Sequence, residues 1–129
     1  MIFPEHVVIW GGGRWASNYL SAITRINKQN CQIHAITSNK SFGRNLSNKV
    51  IIHGNENCLP ATGKIYSLVL NKNIDHQHAV SHAIKNNHNI LCEKPLLLSQ
   101  EILSEIYLKK KHLMSFIQHL KKIISVLEH

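Results

Sequence analysis

Short apolar runs alternate along this chain with stretches in which apolar residues recur at helical spacing. Val7-Val8-Ile9-Trp10 stops at three successive glycines, Gly11-Gly12-Gly13, and Ala16, Tyr19, Leu20 and Ile23 then follow one helix face. This pattern predicts strand, tight turn, helix. Cys31 to Thr37 alternates polar and apolar residues and predicts a second strand, followed by a polar loop or helix start over Ser38 to Asn45. Val50-Ile51-Ile52 predicts a short third strand, then a loop holding Gly54, Asn55, Asn57 and Pro60. Ile65-Tyr66-Ser67-Leu68-Val69-Leu70 is an apolar run broken only by Ser67, the pattern of a central parallel strand buried on both faces. His78 to Lys85 carries Ala79, Val80, Ala83 and Ile84 at helical spacing, Asn86-Asn87 closes that helix, and Asn89 to Cys92 is a further strand. Beyond it, Ser99 is placed to cap a helix through Ile102, Leu103, Ile106 and Tyr107, and Leu113 to Ile117 reads as a sixth strand. Strands alternating with helices predict an α/β fold, doubly wound, with a mainly parallel sheet and helices on both faces: a Rossmann fold. Residues 1–117 would form this domain. Residues 118–129, with helical spacing in Leu120, Ile123, Ile124 and Leu127, would be the start of a C-terminal domain or a tail.

The glycine turn fits the G-x-G-x-x-[GA] spacing through Gly11, Gly13 and Ala16. Gly11 permits the sharp exit from the strand, Gly13 lets a pyrophosphate approach the backbone, and Ala16 keeps the helix close to the sheet. The unpaired N–H groups and positive dipole end of the helix, beginning at Arg14, would face the anion. A dinucleotide fold reads the adenosine ribose just after its second strand, where a carboxylate selects NAD. Here Ser38 and Asn39 stand at that place with Lys40 and Arg44 close behind, a set that suits a phosphate dianion and favours NADP, with NAD as the alternative. The other reading of Lys40 and Arg44 is that they are surface residues.

The chain has 129 residues and a net charge of +8. Much of the excess lies in Lys109-Lys110-Lys111 and Lys121-Lys122, where a solvated helix face explains it, and no aromatic platform or zinc-finger spacing accompanies it. Nucleic acid is therefore not an expected partner. No apolar run approaches the roughly 20 residues that span a bilayer, so no membrane partner is expected and the cytoplasm is the expected location. Cys31, Cys58 and Cys92 are widely spaced and predict reduced thiols. Among ten histidines, His78 and His82 sit one helical turn apart with His76 nearby, but no H-E-x-x-H or carboxylate partner accompanies them. No metal site is predicted, and the remaining histidines read as surface or satisfied residues.

Three pieces together, the glycine turn, Asn73-Ile74-Asp75-His76 and Leu91-Cys92-Glu93-Lys94-Pro95-Leu96, resemble the N-terminal domain of the Gfo/Idh/MocA oxidoreductases. That family shows T-P-N-x-x-H after its fourth strand and C-E-K-P after its fifth. The resemblance implies hydride transfer between a nicotinamide and a hydroxyl, carbonyl or imine carbon of a small, sugar-like substrate. It places Asn73 and His76 beside the nicotinamide, with Asn71 on the adjoining wall beside the cofactor, and Glu93 and Lys94 where cofactor and substrate meet, with Lys94 as the catalytic residue. An ammonium there would stabilise a developing alkoxide and assist proton transfer. The chain departs from the family at Asn71-Lys72, which replaces T-P, and at Trp15, which would cover the pyrophosphate or adenine, or pack beneath the turn. The family's substrate domain has no counterpart here, so this chain alone is expected to be inactive. Its expected partners are the dinucleotide and, in a longer enzyme, the small substrate; a homo-oligomer is left open. A non-catalytic dinucleotide-binding or interaction domain is the alternative.

Overall fold

The structure, a computed structural model, describes residues 4–27, 30–44, 50–71 and 76–92. In chain order these form β1 (His6–Trp10), α1 (Arg14–Ile26), β2 (Gln32–Ile36), β3 (Val50–His53), a single 3-10 turn (Glu56–Cys58), β4 (Ile65–Val69), α2 (His76–Lys85) and β5 (Asn89–Cys92). The five strands form one sheet in the order β3-β2-β1-β4-β5, and every pairing is parallel. This is an α/β architecture with Rossmann-like strand order, as the alternation of strand and helix patterns predicts.

Strand periodicity divides the core into two layers. Val7 and Ile9 of β1, Ile33 and Ala35 of β2, and Tyr66 and Leu68 of β4 turn toward α1, where they meet Ala16, Tyr19, Leu20 and Ile23. Val8 and Trp10 of β1, Ile65 and Val69 of β4, and Ile90 of β5 meet Ala79, Val80 and Ala83 of α2 on the other face. All five residues of β4 are buried, because this strand is covered by a helix on each side.

The helix ends use asparagine. The Asn27 side chain, at the C-terminus of α1, donates to the Cys31 carbonyl (2.9 Å) and accepts from the Cys31 N–H (3.0 Å), fixing the turn into β2. Asn87 adopts φ +65° after α2, and the bonds from His88 N–H to the Ala83 carbonyl (2.8 Å) and from Asn87 N–H to the Ile84 carbonyl (3.1 Å) complete a Schellman motif.

Several boundaries differ from the sequence pattern. Strand β2 begins at Gln32, leaving Cys31 and Thr37 outside the ladder, while β3 continues to His53 and α2 begins at His76. The 3-10 turn at Glu56–Cys58 falls where a plain loop is predicted; Asn55 nucleates it by accepting the Asn57 N–H at 3.0 Å, a local bond that no apolar periodicity reveals. The helix from Ser99, the strand Leu113–Ile117 and the domain limit at 117 lie outside the described residues. No described helix is long and apolar enough to cross a membrane.

Candidate functional site

Strand β1 lies at the centre of the sheet, with β2 and β3 to one side and β4 and β5 to the other. The loops leaving β1 and β4 therefore diverge, and a crevice opens at the carboxyl ends of the strands, where open α/β sheets bind ligands. A cavity of about 590 Å³ occupies it. Its wall is built from Trp10 to Gly13 after β1, Ile36 to Ser38 after β2, Gly54 to Glu56 after β3, Leu70 and Asn71 after β4, and His78 of α2. The volume is in the range of small-molecule and cofactor sites.

The three glycines have different roles. Gly11 has φ +131°, and a Cβ there would lie 3.1 Å from the Leu70 carbonyl oxygen. At Gly12 a Cβ would run into the Thr37 side chain. At Gly13 it would meet nothing within 4 Å, so the backbone is bare toward the cavity it lines. Gly13 is also the N-cap of α1; no side chain caps the helix and its first turn has no acidic residue. The first N–H groups of α1 and its positive dipole end thus have no side-chain cap and no carboxylate in the first turn, an arrangement of the kind that can bind an anion.

Asn39 braces this turn. Its Nδ2 donates to the Gly12 carbonyl at 3.1 Å, its backbone N–H donates to Thr37 Oγ1 at 3.0 Å, and its Oδ1 accepts from the Ser41 hydroxyl at 2.8 Å. The loop after β2 is thereby fastened to the loop after β1. Beyond it, Ser17, Ser21, Asn39, Ser41 and Arg44 border a smaller cleft of about 290 Å³ against α1.

A second polar group stands on the cavity wall. Glu56 Oε1 and His78 Nε2 lie 2.8 Å apart, joining the turn after β3 to the first part of α2. The Glu56 carboxyl is held below the usual carboxylate range by its own backbone N–H and by the hydrogen bond from His78. Trp10 sets the position of this pair from below. The Trp10 indole N–H donates to Ser67 Oγ at 3.4 Å, Ser67 Oγ lies 2.8 Å from His88 Nδ1, and the Trp10 ring meets His78 and His82 edge-on at 6.3 and 5.5 Å between centroids. Burial lowers the pKa of His82, opposed in part by the Glu56 carboxylate.

Of the predicted site residues, Gly11, Gly13, Ser38 and Asn71 line the cavity together. Arg14 opens α1 and is exposed. Trp15 is 40% exposed and packs edge-on against Tyr19, with 5.7 Å between ring centroids. Asn39 supports the glycine turn from outside the cavity lining, Arg44 borders the smaller cleft, and Lys40 is exposed in the loop between them. His76 is the first residue of α2. Asn73, Glu93 and Lys94 lie outside the described residues. Gly12, Thr37, Glu56 and Trp10 also belong to the cavity wall, though no motif in the sequence marks them. The spacing rule leaves the middle glycine unspecified, and Glu56 reaches the cavity through a crossover that periodicity does not trace. His78 and His82 do not converge on a common point: one meets Glu56, while the other lies edge-on to Trp10 and, at 5.8 Å, to His88. Among the described residues no group of three or more histidine, cysteine and carboxylate side chains could hold a metal.

What fold and site define is a parallel α/β domain with a cleft at its topological switch point. No family model matches the chain, and no curated protein matches it.

Proposed function

We propose that this chain is the NADP-binding domain of an oxidoreductase of the Gfo/Idh/MocA type, which moves hydride between a nicotinamide and a small hydroxyl-, carbonyl- or imine-bearing substrate. The observation that carries the reading is the cavity at the switch point with Gly13 on its wall, where a Cβ would meet no atom within 4 Å, seated at the N-terminus of α1, which no side chain caps. Backbone donors and a dipole end, with no acidic side chain in the first turn, are the chemistry that a pyrophosphate requires. The described residues thus fit the group. Arg44 with the hydroxyl-bearing Ser17, Ser21 and Ser41 around the neighbouring cleft supports the phosphorylated dinucleotide over NAD.

When bound, the cofactor would supply the hydride chemistry; the chain supplies binding and orientation. The α1 N-terminus would hold the pyrophosphate, Asn39 occupies the Gly12 carbonyl with a hydrogen bond, and Ile36 and Leu70 provide apolar walls. The resemblance assigns Lys94 to the proton-transfer step in the longer enzyme.

Titration of the chain with NADPH, with NADH alongside, tests this. Saturable binding is expected, tighter for NADPH. Gly13→Ala is expected to weaken it at least about tenfold, equivalent to about 1.4 kcal/mol, because the added methyl occupies the anion's approach. The melting temperature is expected to fall by only a few degrees, since alanine is a poorer N-cap than glycine but that methyl meets no atom of the protein. Absence of saturable binding of either nucleotide by the wild-type chain refutes the proposal.

A further inference from the structure

The switch-point cavity carries two polarities. At the glycine turn it offers backbone donors at a positive helix end, which suits an anion. Elsewhere on the same wall it offers the carboxylate of Glu56, held by His78. A phosphate placed against that carboxylate would be repelled. A ligand group that rests there must instead donate hydrogen bonds without carrying negative charge, as a hydroxyl does.

The position of Glu56 is built rather than incidental. Its turn is fixed by the Asn55 side chain on the Asn57 N–H (3.0 Å) and by the Leu59 N–H on the Glu56 carbonyl (3.2 Å). His78 is set from below by Trp10, which is itself tied to Ser67. A carboxylate has about four lone-pair sites, so the bond from His78 leaves room to accept a pair of neighbouring hydroxyls.

We infer that Glu56, positioned by His78, is a hydroxyl-accepting subsite that takes the vicinal diol of a ribose attached to the bound pyrophosphate. The Glu56 turn and His78 lie on the α2 face of the sheet, whereas the Arg44 cleft lies against α1, so the ribose concerned is the one away from that cleft. Segregation of anion and hydroxyl recognition within one cavity then sets which way round the dinucleotide lies. The inference rests on the dinucleotide reading above and adds to it the group recognised by the wall opposite in charge.

Calorimetric titration of the whole chain with ADP and with ADP-ribose tests it, since the two differ by the second ribose. Wild-type protein is expected to bind ADP-ribose at least about tenfold tighter than ADP, the scale of hydrogen bonds to a charged acceptor. Glu56→Gln keeps the shape, removes the charge, and is expected to abolish that advantage through a loss of ADP-ribose affinity, with no loss of ADP affinity; Glu56→Asp is expected to restore part of it. His78→Gln is expected to reduce the advantage in the same way, with no loss of ADP affinity. Equal affinities for the two ligands in the wild type, or an equal loss of both in Glu56→Gln, overturn the inference while the dinucleotide reading stands. Failure of the wild type to bind ADP at all removes that reading and the inference with it.

Discussion

On the sheet face away from α1, three imidazoles form a chain across β1, β2 and β3. His6 Nδ1 lies 3.2 Å from His34 Nε2, and His34 Nδ1 lies 3.0 Å from His53 Nε2. The His34 ring is 4% exposed and stacks on His53 with 22° between planes. Neutral His34 suits this place, because it can accept a proton bond from one neighbour and donate to the other. Burial, reinforced by the positive charge that His6 and His53 can carry, pushes its pKa down from 6.5 to about 4. The unfolded chain, with an ordinary imidazole, therefore binds more protons than the folded chain between those values. The His34 contribution to stability is fully present above pH 6.5, declines as pH falls toward 4, and is flat below that. At about 1.4 kcal/mol per unit the interval corresponds to about 3 kcal/mol. Urea midpoints measured from pH 7 to pH 4 check this against His34→Gln, whose amide can still accept and donate but does not titrate. The wild-type midpoint is expected to fall more steeply than the variant's over that range. Parallel pH profiles, or an NMR titration of the His34 ring near 6.5, would refute the argument.

Other perturbations have equally direct readouts. Gly11→Ala is expected to destabilise the fold by about 2 kcal/mol or more, since φ +131° is strained for any residue with a Cβ; a urea melt measures it. Gly12→Ala is expected to push the Thr37 side chain aside, and adding Thr37→Ala is expected to recover part of the lost stability, a coupling visible in a double-mutant cycle. Ser67→Ala removes the hydroxyl shared by Trp10 and His88 and is expected to cost about 1–3 kcal/mol, with a change in tryptophan fluorescence. Cys31 is buried with its thiol pKa pushed up to about 12 by burial, so a thiol reagent at pH 8 is expected to modify the exposed Cys58 and spare Cys31 until the protein unfolds.

Much of this architecture is legible in local pattern. Val7 to Trp10 and Ile65 to Val69 lack polar alternation because helices cover both sides of the sheet there, and burial on two faces leaves that mark in composition. Asn87 ends α2 for a local reason, tolerance of a left-handed backbone, which the Asn86-Asn87 pair announces. The glycine turn was equally visible, because its strand and helix flank it directly. Asn39 shows where such reading stops. Residue type and spacing place it beside the ribose position, but they give no sign that its side chain donates to the Gly12 carbonyl, a partner 27 residues away in the chain.

The sequence by itself determined the alternation of strands and helices, the glycine turn from Gly11 to Gly13 between the first strand and helix, and the wide scatter of the cysteines, since each depends on interactions among near neighbours or on composition. The tertiary structure alone decided what stands opposite that turn. Glu56 and His78 meet only because the connection from β3 crosses the sheet on the α2 face to reach β4, and His6, His34 and His53 form one chain only because the parallel register sets them on adjacent strands. Register and strand order arise from burial of both sheet faces at once, a condition that no single stretch of the chain can express.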